Sequence, residues 1–160
     1  MSEPPRTVEA LLAIHRRIAL DSNVLIYLME ATPGRADVAA ALVDAIAVRR
    51  VDGVLASVGL AEALVGPART GDSAAFEQVA ALIRDIGLTI VPLDAAGAEH
   101  AAWIRGLTGC SLPDAVHLAT ARAAGATALV TNDRRIRSMA GLDVLYLDDL
   151  AAPAPVDRET

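Results

Sequence analysis

Lysine is absent from this 160-residue chain, and all 14 basic residues are arginine. That absence removes whole classes of chemistry. A P-loop nucleotide site needs its lysine on the phosphates, and a Schiff-base enzyme needs a lysine amine. A receiver-type phosphorylation site would need one at a strand end. A single cysteine, Cys110, builds neither a disulfide framework nor a thiolate metal cage, and points to a reducing cytoplasm. Aromatic residues are scarce, with one Trp, two Tyr and one Phe, so stacking of nucleobases on side chains would contribute little. No apolar run approaches the ~18 residues needed to cross a membrane. The N-terminus, with Glu3, Pro4, Pro5 and Glu9 around a short apolar patch, makes a poor signal peptide. A net charge of −6 argues against nonspecific coating of nucleic acid.

What is present is aliphatic. Hydrophobic residues make up 54% of the chain, which excludes disorder and implies a large core. A chain of this length fits one domain and can bury about 70% of its unfolded surface without staples. Ile18 to Leu20 reads as a strand buried on both faces, and it stops at Asp21. Ser22 or Asn23 can then cap a helix that begins at Val24. A second helix follows through Val38, Leu42, Val43 and Ile46. Val54 to Ala56 is a second strand, with Ser57 the next cap and Glu62 in the first turns of a helix that Gly66-Pro67 ends. A helix over 74–86, a strand over 88–91 and a helix over 95–107 come next. Ser111-Leu-Pro-Asp114 is a strong helix start, with a serine cap, an early proline and a carboxylate three residues on. Residues 128–130 form a fourth strand ending in Thr131-Asn132-Asp133, followed by a short helix carrying Arg134, Arg135 and Arg137. A fifth strand covers 144–147.

This alternation predicts an α/β fold, with a central parallel sheet of four or five strands between helical layers. The expected organisation is an N-terminal arm or short helix over 1–16, a domain over 17–150 and a flexible tail over 151–160.

Asp21 and Asp133 stand just past strand ends, Glu62 lies one turn into a helix leaving a strand, and Asp114 opens a helix. In a parallel sheet all four would face the crevice at its carboxyl edge, where ligands bind. Four carboxylates together cannot all stay ionised without cations. Mg²⁺ meets that need, taking carboxylate and water oxygens at ~2.0–2.1 Å. No histidine–cysteine set suggests zinc. Each acid also has an ordinary role, as a cap, a helix-dipole partner or a solvated residue. His117, flanked by Val116 and Leu118, reads as a packing residue.

Ile18-Ala-Leu-Asp21-Ser-Asn23, Glu62, Leu112-Pro-Asp114-Ala-Val-His-Leu-Ala-Thr-Ala121 and Leu129-Val-Thr-Asn-Asp133 together resemble the PIN-domain ribonucleases, and most of all the toxins of VapBC-type toxin–antitoxin pairs. The resemblance implies a three-layer PIN-like α/β/α fold and an acidic quartet, Asp21, Glu62, Asp114 and Asp133, that binds Mg²⁺ or Mn²⁺ and carries catalysis. It implies that Asn23 and Thr131 orient those carboxylates or a metal-bound water. It also implies a cognate antitoxin partner and a homodimer. The expected activity is metal-dependent cleavage of structured RNA, such as a tRNA or an rRNA stem-loop, with Arg134, Arg135 and Arg137 holding phosphates. Two other expectations stand beside it: a non-catalytic module of the same fold, and a housekeeping RNA-processing nuclease. A dehalogenase-type phosphatase is excluded because it would want an aspartate where Asn23 stands.

Overall fold

The computed structural model describes residues 3–154 of the chain. Five strands, β1 (Arg17–Leu20), β2 (Asp52–Ala56), β3 (Thr89–Val91), β4 (Ala128–Thr131) and β5 (Asp143–Tyr146), form one sheet in the order β3-β2-β1-β4-β5. Every pairing is parallel. Seven helices surround it: α1 (Val8–Ile14), α2 (Ser22–Met29), α3 (Ala36–Ala47), α4 (Ser57–Arg69), α5 (Ser73–Asp85), α6 (Ala95–Thr108) and α7 (Leu112–Ala123).

The pleat explains how one sheet feeds two cores. Ile18, Leu20, Ala128, Val130 and Leu145 point to one face and pack with Leu11 of α1, Val24 of α2 and Leu42 and Ile46 of α3. Their alternates Ala19, Leu129 and Val144 point to the other face and meet Ala101 and Ile104 of α6 and a run of α7 residues. A third cluster joins Leu25, Leu55, Ala63 and Ile83, tying α2, β2, α4 and α5 together. Strands buried on both faces read as unbroken apolar runs, which is why 18–20, 54–56 and 128–130 are visible in the sequence.

Two expected boundaries are corrected. The helix over Glu62 does not end at Gly66-Pro67 but runs to Arg69, with Pro67 inside it. Proline lacks an N–H and crowds the preceding turn, yet here it sits in the last turn, where the helix needs only two more residues. The stretch after Asp133 is a series of turns rather than a short helix. The carboxylate of Asp133 accepts the backbone N–H of Arg135, a local turn that competes with helical bonding.

Near the sheet edge, Thr7 forms a parallel bridge with Ala151, supported by Val8 N–H to Ala151 O and Ala151 N–H to Arg6 O. Residues 155–160, the greater part of the expected tail, lie outside the described residues. Among the described residues no helix is long and apolar enough to cross a membrane.

Candidate metal centre

The strand order reverses beside β1. The chain steps outward from β1 to β2 to β3, then returns to the other side of β1 for β4 and β5. In open α/β sheets the crevice at such a reversal is the place for ligands. Asp21 ends β1 there, and its backbone N–H extends the ladder to Val130 O at 2.9 Å. Thr131 ends β4 beside it, fully buried.

Asp21 is 6% exposed, and donors converge on its carboxylate. Oδ1 accepts the Ser22 N–H at 2.7 Å and lies 3.3 Å from the Ser22 hydroxyl. Oδ2 accepts the Thr131 hydroxyl at 2.6 Å and the Asn23 amide at 3.3 Å. Asp21 is therefore itself the N-cap of α2, a position expected to fall to Ser22 or Asn23. The Thr131 oxygen also accepts the backbone N–H of Asp133 at 3.1 Å. One hydroxyl thus links the loop of Asp133 to the carboxylate of Asp21.

Glu62 arrives from α4 and meets His117 of α7. Its Oε1 lies 2.8 Å from His117 Nε2, which is also 3.4 Å from Asp21 Oδ1. One ligand atom from each of Asp21, Glu62 and His117 lies within 4.8 Å of the others. His117 is 2% exposed, so it is buried as a packing residue would be. Its ring nitrogen nevertheless points into the acidic cluster, a role the apolar neighbours Val116 and Leu118 concealed. Gly59 makes the room, since a Cβ there would lie 2.8 Å from His117 Cε1. The spacing of one turn between Asp114 and His117, together with a glycine three residues before Glu62, is the signal that could have found it.

Burial pushes the His117 imidazole toward the neutral form, but the hydrogen bond to Glu62 and the charges of Asp21, Glu62 and Asp114 outweigh it and raise its pKa. The same hydrogen bond is the main cause that holds the Glu62 carboxyl below its ordinary range, against burial and with help from the Ser22 hydroxyl. Asp133 is lowered chiefly by hydrogen bonding to Arg135, also against burial.

Asp114 is half-buried at the start of α7, where Ser111 Oγ accepts its backbone N–H at 3.2 Å. Its carboxylate accepts no hydrogen bond among the described residues and faces His117 and Arg135 electrostatically. Asp114 and Asp133 thus flank the tighter Asp21–Glu62–His117 group rather than forming one compact quartet with it.

The donors suit a hard divalent cation. Carboxylate oxygens dominate, the nearby imidazole nitrogen of His117 is engaged with Glu62, and no thiolate joins them. Within the cluster the buried Oδ1 of Asn23 has no donor, leaving an acceptor for a water or an ion. The arginines expected to hold phosphates divide. Arg134 is bidentate to Asp149, both contacts at 2.8 Å, and its guanidinium carbon lies 4.2 Å from the centroid of the Tyr146 ring. Arg135 is bidentate to Asp133. Arg137 is exposed and pairs with no described residue.

A family model described as PIN domain matches residues 18–142. No curated protein matches the chain. Among solved structures, the chain is similar to VapBC2 from Rickettsia felis bound to a promoter DNA fragment, at 17% identity and a TM-score of 0.65, with 81% of this chain and 98% of that one covered. It is similar to FitAcB from Neisseria gonorrhoeae at 22% identity and a TM-score of 0.62, covering 81% and 97%. It is also similar to VapC20 from Mycobacterium tuberculosis, a toxin that cleaves the sarcin-ricin loop, at 20% identity and a TM-score of 0.55, covering 70% and 86%.

Proposed function

The chain belongs to the PIN domain family, and from that premise we propose that it is a Mg²⁺- or Mn²⁺-dependent endoribonuclease, the cytoplasmic toxin of a type II toxin–antitoxin pair. The observation that carries this reading is the meeting of Asp21, Glu62 and His117 at the strand-order reversal, with Asp133 joined to Asp21 through Thr131. With Asp114 facing His117, five ionisable groups are gathered at that reversal. The partner expected is a small antitoxin covering the acidic crevice, as toxins of this fold are seen in complex with antitoxins.

In this reading Asp21, Glu62, Asp114 and Asp133 hold the cation. Bound there, it would supply the charge that lowers the pKa of a water and neutralises the leaving oxyanion. The protein's own contribution is order. Thr131 and Ser22 fix both oxygens of Asp21, and His117 fixes Glu62, so that the acids meet the cation without first giving up side-chain freedom. Asn23 stands beside both Asp21 and Thr131 and can orient a water through its free oxygen. Phosphate contacts fall to Arg137 and to Arg135 when it lets go of Asp133, since Arg134 is held by both Asp149 and the Tyr146 ring.

The test is cleavage of structured RNA with Mn²⁺, Mg²⁺ or EDTA, using wild type and Asp114→Asn. Because the Asp114 carboxylate accepts no hydrogen bond, Asp114→Asn should keep the wild-type melting temperature and lose cleavage. A folded Asp114→Asn protein that cuts at the wild-type rate overturns its assignment. Cleavage that survives EDTA overturns the metal dependence. A wild type that binds neither metal nor RNA is a non-catalytic module.

A further inference from the structure

Arg135 folds back on the residue two before it. Its backbone N–H and its Nε both donate to Asp133 Oδ1 at 3.0 Å, and its Nη2 donates to Oδ2 at 2.8 Å. Both oxygens of Asp133 are engaged by one fork, while the Arg135 side chain is 81% exposed. Asp114, the other flanking acid, is its second electrostatic neighbour. The cation that the cluster is suited to hold must approach a carboxylate oxygen to within ~2.1 Å. At Asp133 it meets a positive charge already seated on both oxygens.

We propose that Arg135 is a built-in competitor of the cation at Asp133, so that the centre takes up its metal fully only as this guanidinium leaves. The inference rests on reading the acidic cluster as a metal centre and adds a regulating residue to it. The geometry permits departure. An ion pair with one partner open to water is held less firmly than a buried one, and a phosphodiester offers the same planar fork an equivalent partner. There is also somewhere to go. A cavity of about 400 Å³ is lined by Arg135 and Arg137 together with Ile104, Leu118 and Ile136. A guanidinium turned toward that cavity would vacate Asp133 and stand beside the unpaired Arg137, where substrate phosphates would meet both.

The experiment is a titration of Mn²⁺ into the full-length protein without RNA, with free Mn²⁺ followed by its paramagnetic resonance signal. Arg135→Ala should bind Mn²⁺ about two- to fivefold more tightly than wild type, the range expected of a surface ion pair. Arg137→Ala removes the same charge from the same loop without touching Asp133, and should shift the affinity distinctly less. In an Asp133→Asn background the Arg135→Ala substitution should gain no more than Arg137→Ala does, because the contested carboxylate is gone and only the charge facing Asp114 remains. Equal affinities in wild type and Arg135→Ala overturn the competition and leave the metal centre standing. So does an equal gain from Arg137→Ala, which would make the effect general charge, or a gain that persists undiminished beside Asp133→Asn. If neither wild type nor Arg135→Ala binds Mn²⁺, the metal reading itself falls and takes this inference with it.

Discussion

Thr131→Val tests whether one hydroxyl organises the centre. Valine keeps the shape and volume of threonine at a position with no solvent exposure. It removes the 2.6 Å bond to Asp21 Oδ2 and the acceptor for Asp133 N–H. A hydrogen bond to a charged group contributes about 1.5–3 kcal/mol, and a buried acceptor left without its donor loses that stabilisation. Asn23 remains on the same oxygen at 3.3 Å and can shorten its contact, while the half-buried Asp133 N–H can turn to water. The net loss should be about 2 kcal/mol. For a domain of this size that lowers Tm by roughly 4–8 °C. Thr131→Ser supplies the discriminating comparison. It keeps the hydroxyl and loses one buried methyl, a loss of about 1 kcal/mol. The hydrogen-bond argument therefore orders stability as Thr, then Ser, then Val. Packing alone orders it as Val equal to Thr, then Ser. Calorimetric melting of the three proteins in EDTA decides between them, and Mn²⁺ affinity should follow the first order. A valine variant that melts with wild type and binds Mn²⁺ equally refutes the reasoning.

Three further outcomes follow from other contacts. Gly59→Ala drives a Cβ to 2.8 Å from both His117 Cε1 and Leu55 Cδ1, so it should cost about 1–3 kcal/mol of overpacking and weaken Mn²⁺ binding; Gly66→Ala in the same helix meets nothing within 4 Å and should be neutral or stabilising by thermal melt. The His117 pKa is raised in the folded state, so its contribution is fully present below the unfolded value of about 6.5 and is lost as pH climbs above that. Buried His15 is lowered and acts in the opposite sense, losing stability as pH falls through the same value. The measurement is therefore the difference in metal-free Tm between wild type and Glu62→Gln. That difference should shrink from pH 6 to pH 8, and a gap independent of pH would refute the pairing. Arg134→Ala should leave the salt dependence of RNA binding unchanged in fluorescence anisotropy, whereas Arg137→Ala should reduce the log–log slope by about 0.7–0.9; equal slopes in the two variants would remove Arg137 from the RNA surface.

The sequence alone determined the layer architecture. Strands buried on both faces must be unbroken apolar runs, and those over 18–20, 54–56 and 128–130 are legible for that reason. It also placed Asp21, Glu62 and Asp133 after strands and Asp114 at a capped helix start, because caps and strand ends are local chemistry. What it could not determine was which partner each group finds across the fold. Thr131 reaches Asp21 over 110 residues of chain, and His117 reaches Glu62 over 55. Neither pairing leaves a local periodicity to read. The same limit hid the commitment of Arg134, since a run of Arg134, Arg135 and Arg137 looks uniform until Asp149 and Tyr146 are brought beside it. Strand order made those decisions. By setting β4 directly against β1, it turned two distant strand ends into one site.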